Sequence, residues 1–113
     1  MYNHLINSVM SKLTYSQIVK LQKANGYDQI QANINSGLAW KLEGSYGRAA
    51  MNLLVSGACM LPKVVRIDAY GNRVPARDML KAGTQGTFQN SQDFWQKVYE
   101  GEVILNFDND DNE

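Results

Sequence analysis

The chain has 113 residues, of which 44% are hydrophobic and 19% are charged, and this balance excludes an intrinsically disordered protein. Its length predicts one domain with a modest core. The formal net charge is zero, whereas nucleic-acid-binding domains usually carry a strong basic excess, so the composition does not require a nucleic-acid partner. The charge is unevenly distributed, because the last residues, 108–113, are acidic and contain no positive residue.

The helical patterns begin near the N-terminus, where residues 4–13 place apolar side chains on one helical face. Thr14 opens a Thr-x-x-Gln capping box, which predicts a second helix from Tyr15 to Asn25. We expect this helix to bury Ile18, Val19 and Leu21, and to end at Gly26. These signals predict two helices before residue 26.

A third helix is predicted to start at Asp28 as its N-cap, and Gly37 interrupts it. Two arrangements are consistent with this glycine, namely two short helices or one kinked helix. Trp40, the largest side chain in this region, is expected to pack on the following helix.

The stretch from Gly44 to Gly57 is predicted to form the central helix. Ser45 is the expected N-cap, and Gly57 is expected to end the helix. Two faces follow from the helical period. The buried face is predicted to contain Tyr46, Ala49, Ala50, Leu53 and Leu54, and a polar stripe to contain Arg48, Asn52 and Ser56.

After Pro62 the period changes, and Val65, Ile67 and Ala69 alternate with polar residues as the inward face of a strand. The pair Gly71-Asn72 predicts a turn, and Arg73-Val74 a return strand that Pro75 ends. Residues 81–87 predict a loop of tight turns. Further elements complete the chain. They are a helix capped by Ser91 with Phe94, Trp95, Val98 and Tyr99 on its inner face, and a last strand at residues 103–107.

These elements predict an α+β fold, in which an N-terminal helical half of three to four helices packs with a small antiparallel sheet and one late helix. Residues 1–107 are expected to form one compact domain, followed by a disordered acidic tail at residues 108–113. No apolar run reaches the roughly 18 residues of a membrane span and no secretory signal is evident, so a reducing cytosol is the expected compartment.

Catalytic and metal chemistry find little support in the residue types. Cys59 is the only cysteine and His4 the only histidine, so a disulfide and a tetrahedral zinc site are excluded, and a buried structural cysteine is favoured over a nucleophile. Asp108 and Asp110 resemble the start of a calcium loop, which needs a later glycine and glutamate that are missing. We therefore expect a protein that is not an enzyme and holds no cofactor or metal.

The predicted hairpin concentrates arginine and tyrosine, which commonly carry molecular recognition. Its candidate partner-binding residues are Arg66, Tyr70, Asn72, Arg73 and Arg77, together with Arg48 and Asn52 of the helix stripe. The alternative is a solvated sheet surface, in which the arginines pair with Asp68 and Asp78. Both interpretations remain open from the sequence alone.

Three strings together, AWKLEGSYGRAAM (39–51), DAYGNRVPARD (68–78) and AGTQGT (82–87), resemble a group of small uncharacterised proteins of tailed bacteriophages and bacterial plasmids. The matching positions form a Trp-x-Leu-Glu-Gly helix start, a Tyr-Gly-Asn turn and a Gly-Thr-x-Gly loop. They are Trp40, Leu42, Glu43, Gly44, Tyr70, Gly71, Asn72, Pro75, Arg77, Gly83, Thr84 and Gly86. Ala76 and Ala82 depart from the serine and proline that the group has there. The resemblance implies a mobile-element origin and the cytoplasm of a bacterial host, and it supplies no activity.

The leading hypothesis is therefore a non-enzymatic interaction protein that binds and modulates a host protein, including components of defence systems. Charge reversal at Arg73 and Arg77 is predicted to abolish partner capture while the fold survives. A nucleic-acid-associated protein that uses the basic hairpin is one alternative. Self-association through the large aromatics Trp40, Tyr46, Trp95 and Tyr99 is another.

Overall fold

A computed structural model describes residues 12–101 of the chain. It shows an α+β fold with a two-stranded antiparallel sheet, as predicted. The helices are α1 (Tyr15–Ala24), α2 (Asp28–Ser36), α3 (Gly44–Ser56) and α4 (Phe88–Tyr99), the strands are β1 (Arg66–Ile67) and β2 (Arg73–Val74), and 3₁₀ turns lie at Leu38–Trp40 and Arg77–Met79. Residues 4–11 of the first predicted helix, the last strand and the acidic tail lie outside the described residues, and residues 12–13 of that predicted helix are not helical.

Helix α1 begins at the predicted capping box. The Thr14 hydroxyl accepts a hydrogen bond from the Gln17 N–H at 3.2 Å, and the Gln17 side chain accepts one from the Thr14 N–H at 2.8 Å. Ile18 is buried as predicted, whereas the predicted burial of Val19 is wrong. The buried face continues instead from Ile18 to Gln22, one helical turn further on.

Helix α2 ends at Gly37, whose φ of 87° is the left-handed conformation that glycine adopts without strain. A separate 3₁₀ turn follows, so the alternative of two short helical segments is confirmed. Asp28 is the first helical residue rather than the N-cap, which is Tyr27. Trp40 packs against a core cluster that includes Ala50 and Leu54 of α3, as expected.

Helix α3 spans almost the predicted range and ends at Gly57 in the left-handed conformation. Ala50 and Leu54 are buried, whereas Ala49 is exposed, which contradicts its place on the predicted buried face. The predicted Ser45 cap is also wrong. Glu43 occupies the N-cap position, and the Ser45 hydroxyl, already inside the helix, donates to the Glu43 carboxylate at 3.2 Å.

Helix α4 begins three residues before the predicted Ser91 cap, because Thr87 caps it instead. The Thr87 hydroxyl accepts from the Asn90 N–H at 3.2 Å. Trp95 is fully buried on the inner face, with the Phe94 ring at 5.0 Å and the Tyr27 ring at 6.0 Å between ring centroids. Tyr99 is mostly exposed, so its predicted inward position is wrong.

The hairpin forms at the predicted turn with the register Arg66↔Val74 and Ile67↔Arg73, but its inward face is the opposite of the predicted one. Arg66 and Val74 are half-buried, whereas Ile67 is 46% exposed. The physical reason lies at the end of α2, where the Arg66 Nε donates to the Asn35 carbonyl at 2.8 Å. Helix ends leave carbonyl groups unpaired, and an inward arginine satisfies one of them.

Residues 57–62 are buried along their whole length and have no regular secondary structure, and we call them the buried segment. Its alternate residues face opposite sides, as in a strand. Cys59 and Leu61 belong to one core cluster with Leu54, and Ala58 and Met60 to a second cluster with Trp95. The segment therefore lies between the two halves of the core.

Side chains pair much of the main chain of the buried segment, as buried peptide groups require. The Gln31 amide contacts Met60 twice, because its Oε1 accepts from the Met60 N–H at 2.9 Å and its Nε2 donates to the Met60 carbonyl at 2.8 Å. Gln22 Nε2 and Trp95 Nε1 both donate to the Ala58 carbonyl, at 2.9 and 3.0 Å.

The two ends of the buried segment are held in the same way. The Ser91 hydroxyl donates to the Gly57 carbonyl at 2.7 Å, which explains the burial of that serine. At the other end, Arg77 Nε donates to the Leu61 carbonyl at 2.7 Å, and the Leu61 N–H donates to Gly86 at 2.8 Å. Polar side chains from α1, α2, α4 and the 3₁₀ turn at Arg77–Met79 thus fix the path of the segment.

Candidate functional site

The candidate site is a cavity of about 370 Å³ beside the hairpin, which we call the hairpin cavity. Its volume lies at the lower end of the range of ligand pockets. Parts of the chain that are far apart in sequence meet there. The lining residues are Trp40, Met51, Leu54, Leu61, Asp68, Arg73, Val74, Pro75 and Gln85.

The cavity has an apolar floor that the core holds in place. Leu54 comes from α3 and Leu61 from the buried segment, and both are buried. Trp40 and Val74 pack against the same cluster from the 3₁₀ turn and from β2. Because the buried segment fixes Leu61 and the hairpin fixes Val74, the cavity is formed by the fold itself.

Asp68 lines the hairpin cavity, but its carboxylate accepts hydrogen bonds from main-chain N–H groups of the hairpin turn. Its Oδ1 accepts from the Asn72 N–H at 2.8 Å and from the Tyr70 N–H at 2.9 Å. These backbone hydrogen bonds, that of Asn72 first, lower the pKa of the Asp68 carboxyl. The Asp68 carboxyl is therefore ionised at neutral pH, and its hydrogen bonds stabilise the hairpin turn.

The hairpin tip presents the predicted recognition residues to solvent. Tyr70 is 90% exposed, and Asn72 and Arg73 are exposed beside it. Arg73 also lines the hairpin cavity, and its guanidinium has no hydrogen-bond or acidic partner among residues 12–101. Of the predicted hairpin residues, these three lie where a partner can reach them.

Arg66 and Arg77 occupy different positions from those expected of exposed hairpin arginines. Arg77 is only 6% exposed, and its guanidinium contacts Leu61 and, at 3.3 Å, the Asn35 Oδ1, with the Tyr15 ring 5.6 Å away. Arg66 is half-buried and bonds to Asn35. Arg66 and Arg77 thus donate to carbonyl groups and to an amide, and not to Asp68 and Asp78 as in the second of the two interpretations left open by the sequence.

The polar stripe of α3 is exposed as predicted, with Arg48 and Asn52 on the surface. The same surface also carries Met51, which is 51% exposed and lines the cavity, and Val55, which is 46% exposed. Of these exposed residues of α3, Met51 lines the cavity, whereas Arg48, Asn52 and Val55 are not among its lining residues.

Sequence reasoning missed Met51, Trp40 and Gln85 as site residues. A signal existed for Met51, because it is apolar and lies off the predicted buried face of α3, as does Val55. The indole N–H of Trp40 is buried and has no acceptor among the described residues. Gln85 carried no signal, since only tertiary structure brings its loop to the hairpin.

The structure shows the environment of Cys59, for which a buried structural role was favoured. Cys59 is fully buried, and burial raises the pKa of its thiol to about 12, so it is the structural cysteine that was favoured. Within residues 12–101, no group of three or more His, Cys, Asp or Glu side chains is placed to hold a metal ion. No helix in that range is long and apolar enough to cross a membrane.

Comparison with known proteins identifies a family. A family model described as "Domain of unknown function (DUF7417)" matches residues 4–77, which include α1, α2, α3 and the hairpin. No curated protein and no solved structure matches the chain.

Proposed function

This chain belongs to the DUF7417 family, whose function is unknown, and we propose that it is a non-enzymatic interaction protein that binds and modulates a protein of a bacterial host. The observation that supports this most is the hairpin cavity, a largely apolar hollow lined in part by the exposed Arg73, on a hairpin whose tip also exposes Tyr70. Protein interfaces are typically built on buried apolar pockets with tyrosine and arginine anchors.

The proposal includes an origin. We infer an origin in a mobile element and a location in the cytoplasm of a bacterial host, because the three strings resemble proteins of tailed bacteriophages and plasmids. Small proteins of such elements commonly act by occupying a host protein. Components of host defence systems are therefore the first partners to look for.

A protein partner is favoured over nucleic acid by the positions of the arginines. Phosphate binding depends on several free cations along one surface. Arg66 and Arg77 donate to groups within the fold, and Arg73 is the hairpin arginine with no such bond among the described residues. A gel shift at low salt tests the alternative, and a salt-sensitive complex with DNA or RNA would count against the protein partner.

The test is affinity capture from a bacterial lysate, followed by mass spectrometry, with wild-type protein and matched double variants. Tyr70→Ala with Arg73→Glu changes the hairpin. Tyr99→Ala with Lys20→Glu makes the same kinds of change at exposed residues of α4 and α1. Arg77 is left unchanged, because reversing a buried charge would damage the fold.

We expect the hairpin variant to lose the captured partner by about tenfold or more, because removing anchor residues commonly costs 2 kcal/mol or more, about thirtyfold. The control variant should capture as the wild type does. Circular dichroism checks that both variants fold. Equal capture by the folded hairpin variant would refute this site.

A further inference from the structure

The outer edge of β2 offers an unpaired main-chain donor and acceptor. Arg66 faces Val74, Ile67 faces Arg73, and the Asp68 N–H donates to the Asn72 carbonyl at 2.9 Å. Antiparallel pairs alternate between hydrogen-bonded and non-bonded, so the pair Ile67–Arg73 is non-bonded and the Arg73 N–H and C=O point away from β1. They have no hydrogen-bond partner among residues 12–101.

This edge adjoins the hairpin cavity, since Arg73, Val74 and Pro75 all line it. An exposed strand edge with unpaired groups is a template for an added strand. Pro75 has no N–H, so pairing with a new strand centres on Arg73 and ends at the proline. The opposite edge is less open, because the Ala69 N–H already donates to the Trp40 carbonyl at 3.2 Å.

The alternation of side chains fixes what such a strand would present. A residue opposite Arg73 places its side chain on the face of Arg73 and Ile67, which is solvent-exposed. Its neighbour in the strand faces the other side, where Val74 packs over the apolar cavity floor. The edge therefore distinguishes two adjacent positions of a partner.

The charge of Arg73 determines which side chain fits the partner position directly opposite Arg73. The guanidinium of Arg73 has no acidic partner among the described residues. The nearby carboxylate of Asp68 is bonded to the N–H groups of its own turn and is on the inner face, as Arg66 and Val74 are. An acidic side chain opposite Arg73 complements this surface, whereas the apolar cavity takes a large apolar side chain.

We propose that the partner contributes an extended segment that adds to β2 at Arg73, with an acidic residue opposite Arg73 and an adjacent large apolar residue in the hairpin cavity. This inference rests on the proposed function and names the chemistry of its partner. Main-chain bonds supply the pairing, and the alternating side chains supply the specificity.

The probe is a random peptide library displayed on phage and selected against the folded full-length chain. We expect enriched peptides to carry Asp or Glu directly next to a large apolar residue. Met51→Trp places a larger side chain at the exposed rim of the cavity. It should lower the affinity of the chain for these peptides about tenfold. Val55→Trp is the matched control, since Val55 lies one turn further on α3, is similarly exposed and does not line the cavity.

Hydrogen exchange of the Arg73 amide, followed by NMR with a selected peptide, tests the main-chain bond. The Arg73 N–H should exchange about tenfold more slowly in the complex, and Arg73→Ala should keep that protection while losing the preference for an acidic residue. Three results would overturn the inference: no enriched peptides, acidic and apolar residues spaced at helical intervals, or equal loss from the two tryptophan variants.

The lysate experiment separates this inference from the proposed function. If Met51→Trp abolishes capture of the host protein but selected peptides show none of these features, the interaction function stands and the extended segment is wrong. If neither Met51→Trp nor the hairpin double variant changes capture, the proposed binding site is itself wrong.

Discussion

The side chain of Gln31 forms hydrogen bonds with both main-chain groups of the buried Met60, so one side chain satisfies two buried peptide groups. Its amide meets the N–H and the C=O of Met60, accepts from Gln22 at 2.9 Å and donates to the Asn35 Oδ1 at 2.9 Å. The net value of one hydrogen bond is modest, but a buried group left without a partner costs more. Gln31 is therefore a structural glutamine.

Replacing Gln31 by leucine should lower the free energy of unfolding by about 2–5 kcal/mol, because it leaves the N–H and C=O of Met60 buried and unpaired. Denaturant unfolding followed by circular dichroism measures this change. Gln29→Leu on the same helix is the control, since Gln29 is exposed, and it should change stability by no more than about 0.5 kcal/mol. Equal effects of the two variants would contradict this role.

Cys59 connects burial to pH dependence. Burial raises the pKa of its thiol from the ordinary 9.0 to about 12 in the folded chain. The unfolded chain loses this proton first as the pH rises, so the stabilising contribution is complete below about pH 9 and is lost between about pH 9 and pH 12. The thiol of the folded protein is therefore protonated at neutral pH.

We expect a thiol reagent at pH 8 to label Cys59 only at the rate at which the protein opens. In denaturant titrations, the stability of the wild type should fall above pH 9 more steeply than that of Cys59→Ala. Burial and, second, the charge of Cys59 raise the pKa of Tyr27, so in this comparison the effect of burial on Tyr27 cancels and the effect of Cys59 on it adds to the difference. Rapid labelling of the folded protein at pH 8 would show that the thiol is accessible.

At the scale of elements, the loop of residues 81–87 is fixed by one close approach to the buried segment. Gly86 has a φ of 92°, and a side-chain carbon there would lie 2.6 Å from the Leu61 Cδ1. Gly83 has the same φ, but nothing lies within 4 Å of its position. The two glycines of the Gly-Thr-x-Gly string therefore have different reasons to be glycine.

Gly86→Ala should destabilise the protein by about 1–3 kcal/mol more than Gly83→Ala does, because both variants force a left-handed alanine but one of them also collides with Leu61. Thermal or denaturant unfolding gives the difference directly. Since Leu61 lines the hairpin cavity, Gly86→Ala should also weaken binding there, whereas Gly83→Ala should leave it intact. Indistinguishable stabilities would show that the loop moves away freely.

Signals from neighbouring residues predicted where the helices begin and end better than they predicted which face of each helix or strand is buried. The capping box of α1 and the glycines that end α2 and α3 need only neighbouring residues, and these predictions are confirmed. The inward face of the hairpin was predicted wrongly, because Arg66 faces inward to reach the end of α2, thirty-one residues away in sequence. The alternation of apolar and polar residues predicts that an arginine lies on the exposed face of a strand, because it contains no information about hydrogen bonds to distant residues.

At the scale of the whole molecule, the buried segment is the feature that could not be predicted from the sequence. Its residues read as a short apolar run after a helix, whereas the glutamines that serve it lie on α1 and α2 and look like surface residues. The hairpin cavity depends on that segment through Leu61. Tyr70, Asn72 and Arg73 were therefore foreseeable as exposed groups, and the cavity beside them was not.

We propose that this protein works by holding a partner at the hairpin cavity. Amide hydrogen exchange of the chain alone and in complex with its captured host protein tests this most directly. We expect slower exchange at Arg73 and around Met51 in the complex, with the exposed faces of α1 and α4 unchanged. Slower exchange confined to α1 or α4, with the hairpin and the cavity rim unaffected, would contradict it.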